Sequence, residues 1–214
     1  MKALAALVLA CVVTAPLAAQ QRSRLFPPGD LGLLEGPDRE LWQQPDRIMD
    51  ALLIGDGSSV ADVGAGGGWF TVRLARRVGP NGLVFAEDVQ RPMIEAIQQR
   101  VRLEGLRNVR TVLGTSEDPG LPSASLDAVL IVDSYYEFER PIRLLANLAK
   151  TLKPTGRIGI INFKRDGGGP GPIMENRVDP KQVVADARDA GLVLQKQETF
   201  LRYQYLLIFG PAPK

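Results

Sequence analysis

The sequence predicts an α/β fold: a doubly wound, mostly parallel seven-stranded sheet with helices on both faces, whose last two strands form an antiparallel hairpin. Strand-like and helix-like segments alternate from residue 59 onward. The run LDAVLIV, at 126–132, is almost wholly apolar, which is typical of a strand buried on both faces of a parallel sheet. The last two strand-like segments, 192–197 and 202–209, lie too close together for a crossover helix and predict the hairpin.

The elements follow from local patterns. Residues 38–53 have a helical apolar pattern that Pro45 interrupts, which predicts two short helices. Periodicity, turn residues and helix-ending glycines then predict strands at 59–63, 83–86, 109–113, 126–132, 157–163, 192–197 and 202–209, and helices at 69–78, 92–103, 141–152 and 179–190. The segment KRDGGGPGP, after the fifth strand, is too rich in glycine and proline for regular structure and predicts a loop.

The first residues have the layout of a secretory signal peptide. Lys2 is followed by an apolar run over 3–13, a helix breaker at Pro16, and small residues at Ala18 and Ala19. We expect residues 1–19 to be a signal peptide, 20–37 a linker or arm, and 38–214 the folded domain. The protein is then exported, to the periplasm or the extracellular space. The alternative is an uncleaved anchor, in which residues 1–19 contact the membrane.

Composition excludes several classes of function. The 214 residues are 45% hydrophobic, which suits one domain with a core, and the net charge is only +2 with no long basic run. Nucleic acid is therefore not an expected partner. The chain has no histidine and a single cysteine, Cys11, so catalytic triads, histidine-ligated metals and cysteine zinc sites are excluded, and no metal is expected. The oligomeric state is not encoded in these features.

The stretch VADVGAGGGWF, at 60–70, predicts a ligand-binding turn after a strand. Glycines let the backbone approach a ligand closely. The dinucleotide fingerprint G-x-G-x-x-G, begun at Gly64, requires a third glycine where this chain has Trp69, and no Gly-Lys-Ser/Thr follows for a P-loop. An NAD-dependent oxidoreductase is therefore the weaker alternative. The pattern present is Asp-x-Gly-x-Gly-x-Gly, beginning at Asp62.

Four segments in order resemble the class I S-adenosylmethionine-dependent methyltransferases. They are VADVGAGGGWF, GLVFAEDVQRPMI, GTSEDPGLPSASLDAVLIVDSYYEF and LKPTGRIGIINF, and the likeness extends over about residues 38–210. The resemblance implies a Rossmann-like fold and S-adenosylmethionine as cofactor. It also implies in-line methyl transfer to a small or medium-sized acceptor, which the sequence does not identify.

The resemblance also implies which residues hold the cofactor. Asp62 attracts the cationic methionine end, and Asp88, which ends the second strand, accepts hydrogen bonds from the ribose hydroxyls. Glu87, next to Asp88, points to the other side of the sheet. The backbone lining the ribose and methionine comes from the loop residues Gly64, Ala65, Gly66 and Gly68.

The adenine contact is less defined by the resemblance. Many relatives have an aspartate directly after the glycine of the third motif, where this chain has Thr115. The candidates for accepting a hydrogen bond from the adenine amino group are therefore Glu117 and Asp118, with Ser116 left open.

The acceptor side is expected just after the fourth strand. Asp133, Tyr136 and Glu137 are the candidate catalytic residues: Tyr136 or Glu137 would orient an acceptor hydroxyl or amine, and Asp133 would contact the methionine ammonium or the acceptor. Relatives usually have histidine at position 136, so the obvious base is absent, and a non-catalytic module that binds S-adenosylmethionine or S-adenosylhomocysteine is the alternative function. Further candidates for binding a polar or acidic acceptor are Arg165, Arg177, Arg202 and Gln204.

Overall fold

The computed structural model describes residues 25–212 and contains one seven-stranded sheet in the order β3-β2-β1-β4-β5-β7-β6. Strands β1 to β5 pair in parallel, and β7 is antiparallel to both β5 and β6, so the predicted fold class is confirmed. The strands are β1 Ser59–Val63, β2 Leu83–Asp88, β3 Val109–Leu113, β4 Leu126–Val132, β5 Leu152–Phe163, β6 Leu192–Glu198 and β7 Gln204–Pro211.

Helices cover both faces of the sheet. They are α1 Arg39–Gln43, α2 Pro45–Ala51, α3 Trp69–Val78, α4 Arg91–Leu103, α5 Pro141–Thr151 and α6 Pro180–Asp189, with short 3-10 helices at Pro28–Leu34, Tyr135–Glu137 and Met174–Asn176. Side chains alternate along each strand, so Val60 packs with α2 and α3 on one face while Ala61 packs with α5 and α6 on the other. Each face thus buries its own apolar cluster.

Strand order reverses between β1 and β4, and this position sets the site. The chain passes from β1 through β2 to β3 on one side, then returns to place β4 on the other side of β1. The loops after β1 and β4 therefore diverge and leave a crevice at the carboxyl ends of the strands. Ligands of doubly wound sheets bind in such a crevice.

Several element boundaries differ from the sequence prediction, by two residues or more in β2, β5 and β7, and β7 covers 204–211 rather than 202–209. Strand β2 continues to Asp88, because Glu87 and Asp88 still pair with Val112 and Leu113 of β3. Strand β5 begins at Leu152 rather than at residue 157, because Leu152 pairs with Leu126 across a register shift in β4. The KPTG segment, at 153–156 between the predicted helix and the predicted strand, therefore lies within an irregular strand.

The predicted signal segment, residues 1–19, lies outside the described residues. Among residues 25–212, no helix combines the length and apolar character needed to span a bilayer. Residues 25–38, here called the arm, include the 3-10 helix Pro28–Leu34 and lie against the loop that follows β1.

Candidate active site

A cavity of about 370 Å³ opens at the carboxyl ends of β1, β2, β4 and β5, at the point where strand order reverses. Its volume falls within the range of small-molecule sites. The arm and α1 complete its wall. The predicted site residues that line it are Asp62, Gly64, Ala65, Gly66, Asp88, Asp133, Tyr136 and Glu137.

The glycine loop turns sharply between β1 and α3. Gly64, Gly66 and Gly68 have φ angles of 68°, 55° and 79°, in the left-handed region that favours glycine. A Cβ on Gly64 would lie 2.5 Å from Oγ of Ser134, so this glycine also lets the ends of β1 and β4 approach each other. Gly68 does not line the cavity; it caps α3 and lies against Ile97 of α4.

Asp88 is tied to the glycine loop. Its Oδ2 accepts a 3.0 Å hydrogen bond from the Gly66 N–H, and its Oδ1 accepts a 2.9 Å bond from the Gln90 N–H. Burial raises the pKa of this carboxyl above its ordinary value. A carboxylate has about four lone-pair sites, so Asp88 retains capacity for a ligand hydroxyl. Glu87 is buried but is absent from the cavity wall, and its side chain packs against Gly114.

Asp62 lies beneath the same loop. Its Oδ2 accepts a 2.7 Å hydrogen bond from the Thr71 hydroxyl, and burial raises its pKa to about 6. Arg39, from α1, is the one cavity-lining residue within 25–212 with a positive charge. Its guanidinium carbon lies 4.2 Å from the Trp69 ring centroid, and its Nη1 donates to the Leu34 carbonyl oxygen. An anionic group of a ligand would therefore meet one cation, which lies near the acids Asp62, Asp133 and Glu35.

Asp133 is held by two buried glutamines. The Gln204 amide donates to both carboxylate oxygens, at 2.8 and 2.7 Å, and the Gln43 amide reaches Oδ2 at 3.3 Å. Arg39 Nε donates in turn to Gln43 Oε1 at 2.6 Å. Burial raises the pKa of Asp133 to about 7, despite these hydrogen bonds and the charge of Arg39. Its φ of 56° is a strained value for a non-glycine residue, as is common at functional sites.

Glu137 fastens the arm across the cavity. Its Oε2 accepts a 2.8 Å hydrogen bond from the Phe26 N–H, while the Phe26 carbonyl accepts a 3.0 Å bond from the Gln90 side chain. The arm thus links the residues after β4 to those after β2. Burial raises the pKa of Glu137 to about 7, although the Tyr136 hydroxyl also donates to this carboxylate. The pKa of Tyr136 is raised above its ordinary value by burial, so its hydroxyl keeps its proton at neutral pH.

The structure does not bring the two adenine candidates to the cavity. Glu117 forms ion pairs of 2.7 Å with Arg140 and Arg143, and Asp118 is exposed, with Oδ1 accepting from the Gly120 N–H. Neither residue lines the cavity. Within the described part of the chain, no cluster of three histidine, cysteine or acidic side chains is arranged to hold a metal ion.

Other functional candidates differ from expectation. Gln204 is fully buried against Asp133 and does not reach the cavity, while Arg165 and Arg202 are exposed and do not line it either. Several lining or supporting residues are not predicted from the sequence: Phe26, Arg39, Gln43, Gln90 and Met93. Gln90 lies two positions after Asp88, so its place next to the site could have been predicted from the second motif. The arm carries no sequence signal that places it over the cavity, whereas Trp42 of α1, expected from the sequence to pack a helix over the cofactor mouth, does line the cavity.

Comparison with known proteins agrees with this geometry. A methyltransferase domain model matches residues 60–156. The chain is 35% identical over 114 residues to nocamycin O-methyltransferase of Saccharothrix syringae, which covers 53% of this chain and 41% of that protein. It is 32% identical over 112 residues to aklanonic acid methyltransferase DauC of a Streptomyces species, covering 52% and 51%. The chain therefore spans only about half the length of these curated relatives.

A solved structure covers more of the chain. An S-adenosylmethionine-dependent methyltransferase from Aquifex aeolicus is 26% identical, superposes with a TM-score of 0.82, and covers 86% of this chain and 98% of its own. The strand order, the glycine loop and the cavity-lining acids thus occur together with a matched methyltransferase domain. Residues 60–156 match a methyltransferase domain, and the fold of the whole chain resembles that of an S-adenosylmethionine-dependent methyltransferase.

Proposed function

We propose that this protein transfers a methyl group from S-adenosylmethionine to a small-molecule acceptor. The observation that carries the proposal is that Asp62 and Asp88 flank one glycine loop on the wall of one cavity, at the switch point of the sheet. The chemistry of the cofactor matches these two carboxylates. The ribose diol can donate hydrogen bonds to Asp88, and the cationic groups of the methionine end can pair with Asp62.

Asp88 is suited to the ribose. Its carboxylate is oriented by the backbone N–H groups of Gly66 and Gln90, so it does not rotate freely before a ligand arrives. A preorganised acceptor loses less freedom on binding two hydroxyl groups. Asp62 is suited to the ammonium, because a cation beside a buried carboxyl favours its ionised form. Arg39 is the candidate partner for the methionine carboxylate.

Asp133 is the candidate proton acceptor. The cofactor supplies an electrophilic methyl group whose leaving group is a neutral thioether, so the protein's main task is to hold the acceptor in line. Asp133 lines the cavity at the end of β4, and the Gln204 amide fixes the direction of its carboxylate. A base with a pKa near 7 is well matched to neutral pH. Tyr136 and Glu137 orient the acceptor in this proposal.

Calorimetric titration of the protein with S-adenosylmethionine and S-adenosylhomocysteine tests the cofactor assignment. Binding that weakens at least tenfold in Asp88→Ala would support it. An absence of heat and of thermal stabilisation at millimolar ligand would refute it.

The alternative function is a binding module without methyl transfer. The absence of any histidine and the presence of Tyr136, where relatives usually have histidine, favour this alternative. A screen of acceptors with detection of S-adenosylhomocysteine decides between the two. Formation of homocysteine-containing product together with a methylated acceptor would end the binding-module hypothesis.

We also propose export of this protein, with residues 1–19 removed as a signal peptide, and a membrane anchor as the alternative. Fractionation of cells followed by N-terminal sequencing of the purified protein tests this proposal. A soluble exported chain that starts after residue 19 would support cleavage, and a full-length chain in the membrane fraction would support the anchor.

A further inference from the structure

The cavity has a second compartment away from the glycine loop. It lies at the ends of β4 and β5, and we call it the ring compartment, lined by Trp42, Phe163, Pro170, Gly171 and Pro172. Strands β2, β1, β4 and β5 are consecutive neighbours about 4.8 Å apart, so this end lies roughly 14 Å from the strand that carries Asp88. Asp62, Asp88 and the glycine loop therefore lie toward one end of the cavity, and Trp42 and Phe163 lie toward the other.

Aromatic rings form the inner wall of the ring compartment. The centroids of Trp42 and Phe163 are 5.6 Å apart with planes inclined at 48°, and Trp42 also meets Tyr203 edge-on at 6.3 Å. Such inclined rings bind a further flat ring by stacking or edge contact. The wall joins α1, the end of β5 and the segment before β7, so its shape depends on the tertiary fold.

The segment 164–172, which we call the proline loop, adds Pro170, Gly171 and Pro172 to the wall beside Phe163. A Cβ on Gly171 would lie 2.7 Å from ring atoms of Phe163, and one on Gly169 would lie 2.5 Å from ring atoms of Tyr203. The backbone of the proline loop therefore rests directly on the rings. This contact explains why the loop requires glycine at these two positions, where φ is also positive.

Arg177 fastens the proline loop. Its Nε donates to the Pro172 carbonyl at 3.0 Å, and its Nη1 donates to the carbonyls of Lys164 and Gly168 at 2.9 and 3.0 Å. The side chain is buried, and its guanidinium carbon lies 5.3 Å from the Phe163 centroid. It does not line the cavity. Arg177 thus holds both ends of the loop and is not free to bind an anionic acceptor, contrary to the sequence expectation.

The charged groups next to the ring compartment disfavour an anionic acceptor. Asp133 and Glu137 both line the cavity, and the one cation among its described lining residues, Arg39, is the proposed partner of the methionine carboxylate. A protonated amine would be attracted by Asp133 but has no lone pair for attack. The acceptor must interact favourably with Asp133 and must have a lone pair that can attack the methyl group. A neutral hydroxyl group meets both requirements, because it donates a hydrogen bond to Asp133 and keeps a lone pair.

Resting on the proposed function, we propose that the acceptor is a flat, uncharged ring compound that carries a hydroxyl group. Its ring lies against Trp42, beside the wall that Phe163 and the proline loop form together, and its hydroxyl faces Asp133; Arg177 is the positioning residue that keeps the proline loop in place. In the reaction the hydroxyl oxygen bonds to the methyl carbon. The carbon–sulfur bond breaks with its electron pair left on sulfur, and the hydroxyl proton passes to the Asp133 carboxylate.

Three probes test the acceptor class by calorimetry on protein saturated with S-adenosylhomocysteine. They are 2-naphthol, its saturated counterpart decahydro-2-naphthol, and 6-hydroxy-2-naphthoate, which adds a negative charge. We expect 2-naphthol to bind at least tenfold more tightly than either of the others. Equal affinity for the saturated alcohol, or tighter binding of the naphthoate, would overturn the proposal. Titration with S-adenosylhomocysteine alone tests the proposed function separately, since it needs no acceptor.

Two variants test whether 2-naphthol binds in the ring compartment. Trp42→Leu should weaken 2-naphthol binding at least tenfold and leave S-adenosylhomocysteine affinity within twofold. Phe200→Leu, which removes a half-buried ring outside the cavity, should change neither. Unchanged naphthol affinity in Trp42→Leu would refute the ring compartment.

Arg177→Met should weaken naphthol binding several-fold with cofactor affinity retained, whereas Arg165→Ala, an exposed arginine on the same loop, should have no effect. If Arg177→Met does not fold, Pro172→Gly loosens the loop directly and carries the same expectation. Full naphthol affinity in the folded variant would refute the positioning role.

Discussion

The carboxylate of Asp88 accepts a 3.0 Å hydrogen bond from the N–H of Gly66, so the acid that ends β2 is fixed to the loop that follows β1. Gly66 lies in the loop after β1, Asp88 ends the neighbouring strand β2, and both residues line the cavity. Ligand recognition and loop conformation therefore depend on the same contact. Changes at Asp88 are expected to affect both.

We predict that Asp88→Ala weakens S-adenosylhomocysteine binding by roughly ten- to hundredfold, because one charge-assisted pair of hydrogen bonds is lost. Asp118→Asn is the matched control, since Asp118 is exposed and outside the cavity. Calorimetry measures both. If Asp118→Asn weakens binding as much as Asp88→Ala does, Asp118 contacts the adenine in solution, as the sequence predicts.

We predict that Gly64→Ala destabilises the fold by about 2–4 kcal/mol, because a Cβ there meets the Ser134 side chain and φ is positive. Gly57→Ala is the control: φ is also positive but the space is open, so the cost is about 1 kcal/mol. Urea denaturation gives both values. Ser134→Gly should partly rescue Gly64→Ala, and an absence of coupling would exclude the steric explanation.

We predict that the unliganded protein loses stability as pH rises from 5 to 8. The pKa of Asp133 is raised to about 7 in the folded state, so over this range the native carboxyl holds a proton that the unfolded chain has released. Asp62 and Glu137, with pKa values raised to about 6 and about 7, act in the same direction.

Asp133→Asn should reduce this loss of stability, as measured by urea denaturation at pH 5 and pH 8. Asp189→Asn, at an exposed position of α6, serves as its control. An identical pH dependence in wild type and Asp133→Asn would show that the folded-state pKa of Asp133 is not raised.

We predict that Glu137→Ala releases the arm from the cavity mouth. The Phe26 N–H then loses its acceptor, and hydrogen exchange at this amide should accelerate at least tenfold. Glu139→Ala, two residues away and exposed, should leave the exchange unchanged. Equal protection of Phe26 in both variants would mean that other contacts hold the arm.

The framework of this protein is predictable because its signals are local. Strands β1, β3 and β4 have the bounds expected from the sequence, since short apolar runs between turn residues define them. Asp62 and Asp88 were found because Asp62 lies next to the end of β1, two residues before Gly64, and Asp88 ends β2. Strand β5 was underestimated because its first residues pair across an irregularity, which depends on β4 rather than on the KPTG segment itself.

The second half of the site depends on tertiary contacts. Gln43 and Gln204 meet at Asp133 although they are 161 positions apart, and neither stands in a recognisable motif. Arg177 is basic and follows a glycine-rich loop, so it suggested an anionic ligand, but its hydrogen bonds end on backbone carbonyls. A charge in a sequence does not reveal whether its partner is a ligand or the chain.

Because β7 is antiparallel to β5, its first residue lies at the cavity end of the sheet and its last residue lies at the other end. Gln204 begins this strand beside Asp133, and Pro211 ends it at the end of the sheet away from the cavity. Phe26, by contrast, lines the cavity. A fusion partner or surface tether attached upstream would therefore crowd the entrance, and one attached downstream would leave it clear. An immobilised form of this protein should be coupled through its carboxyl end if small molecules are to enter freely.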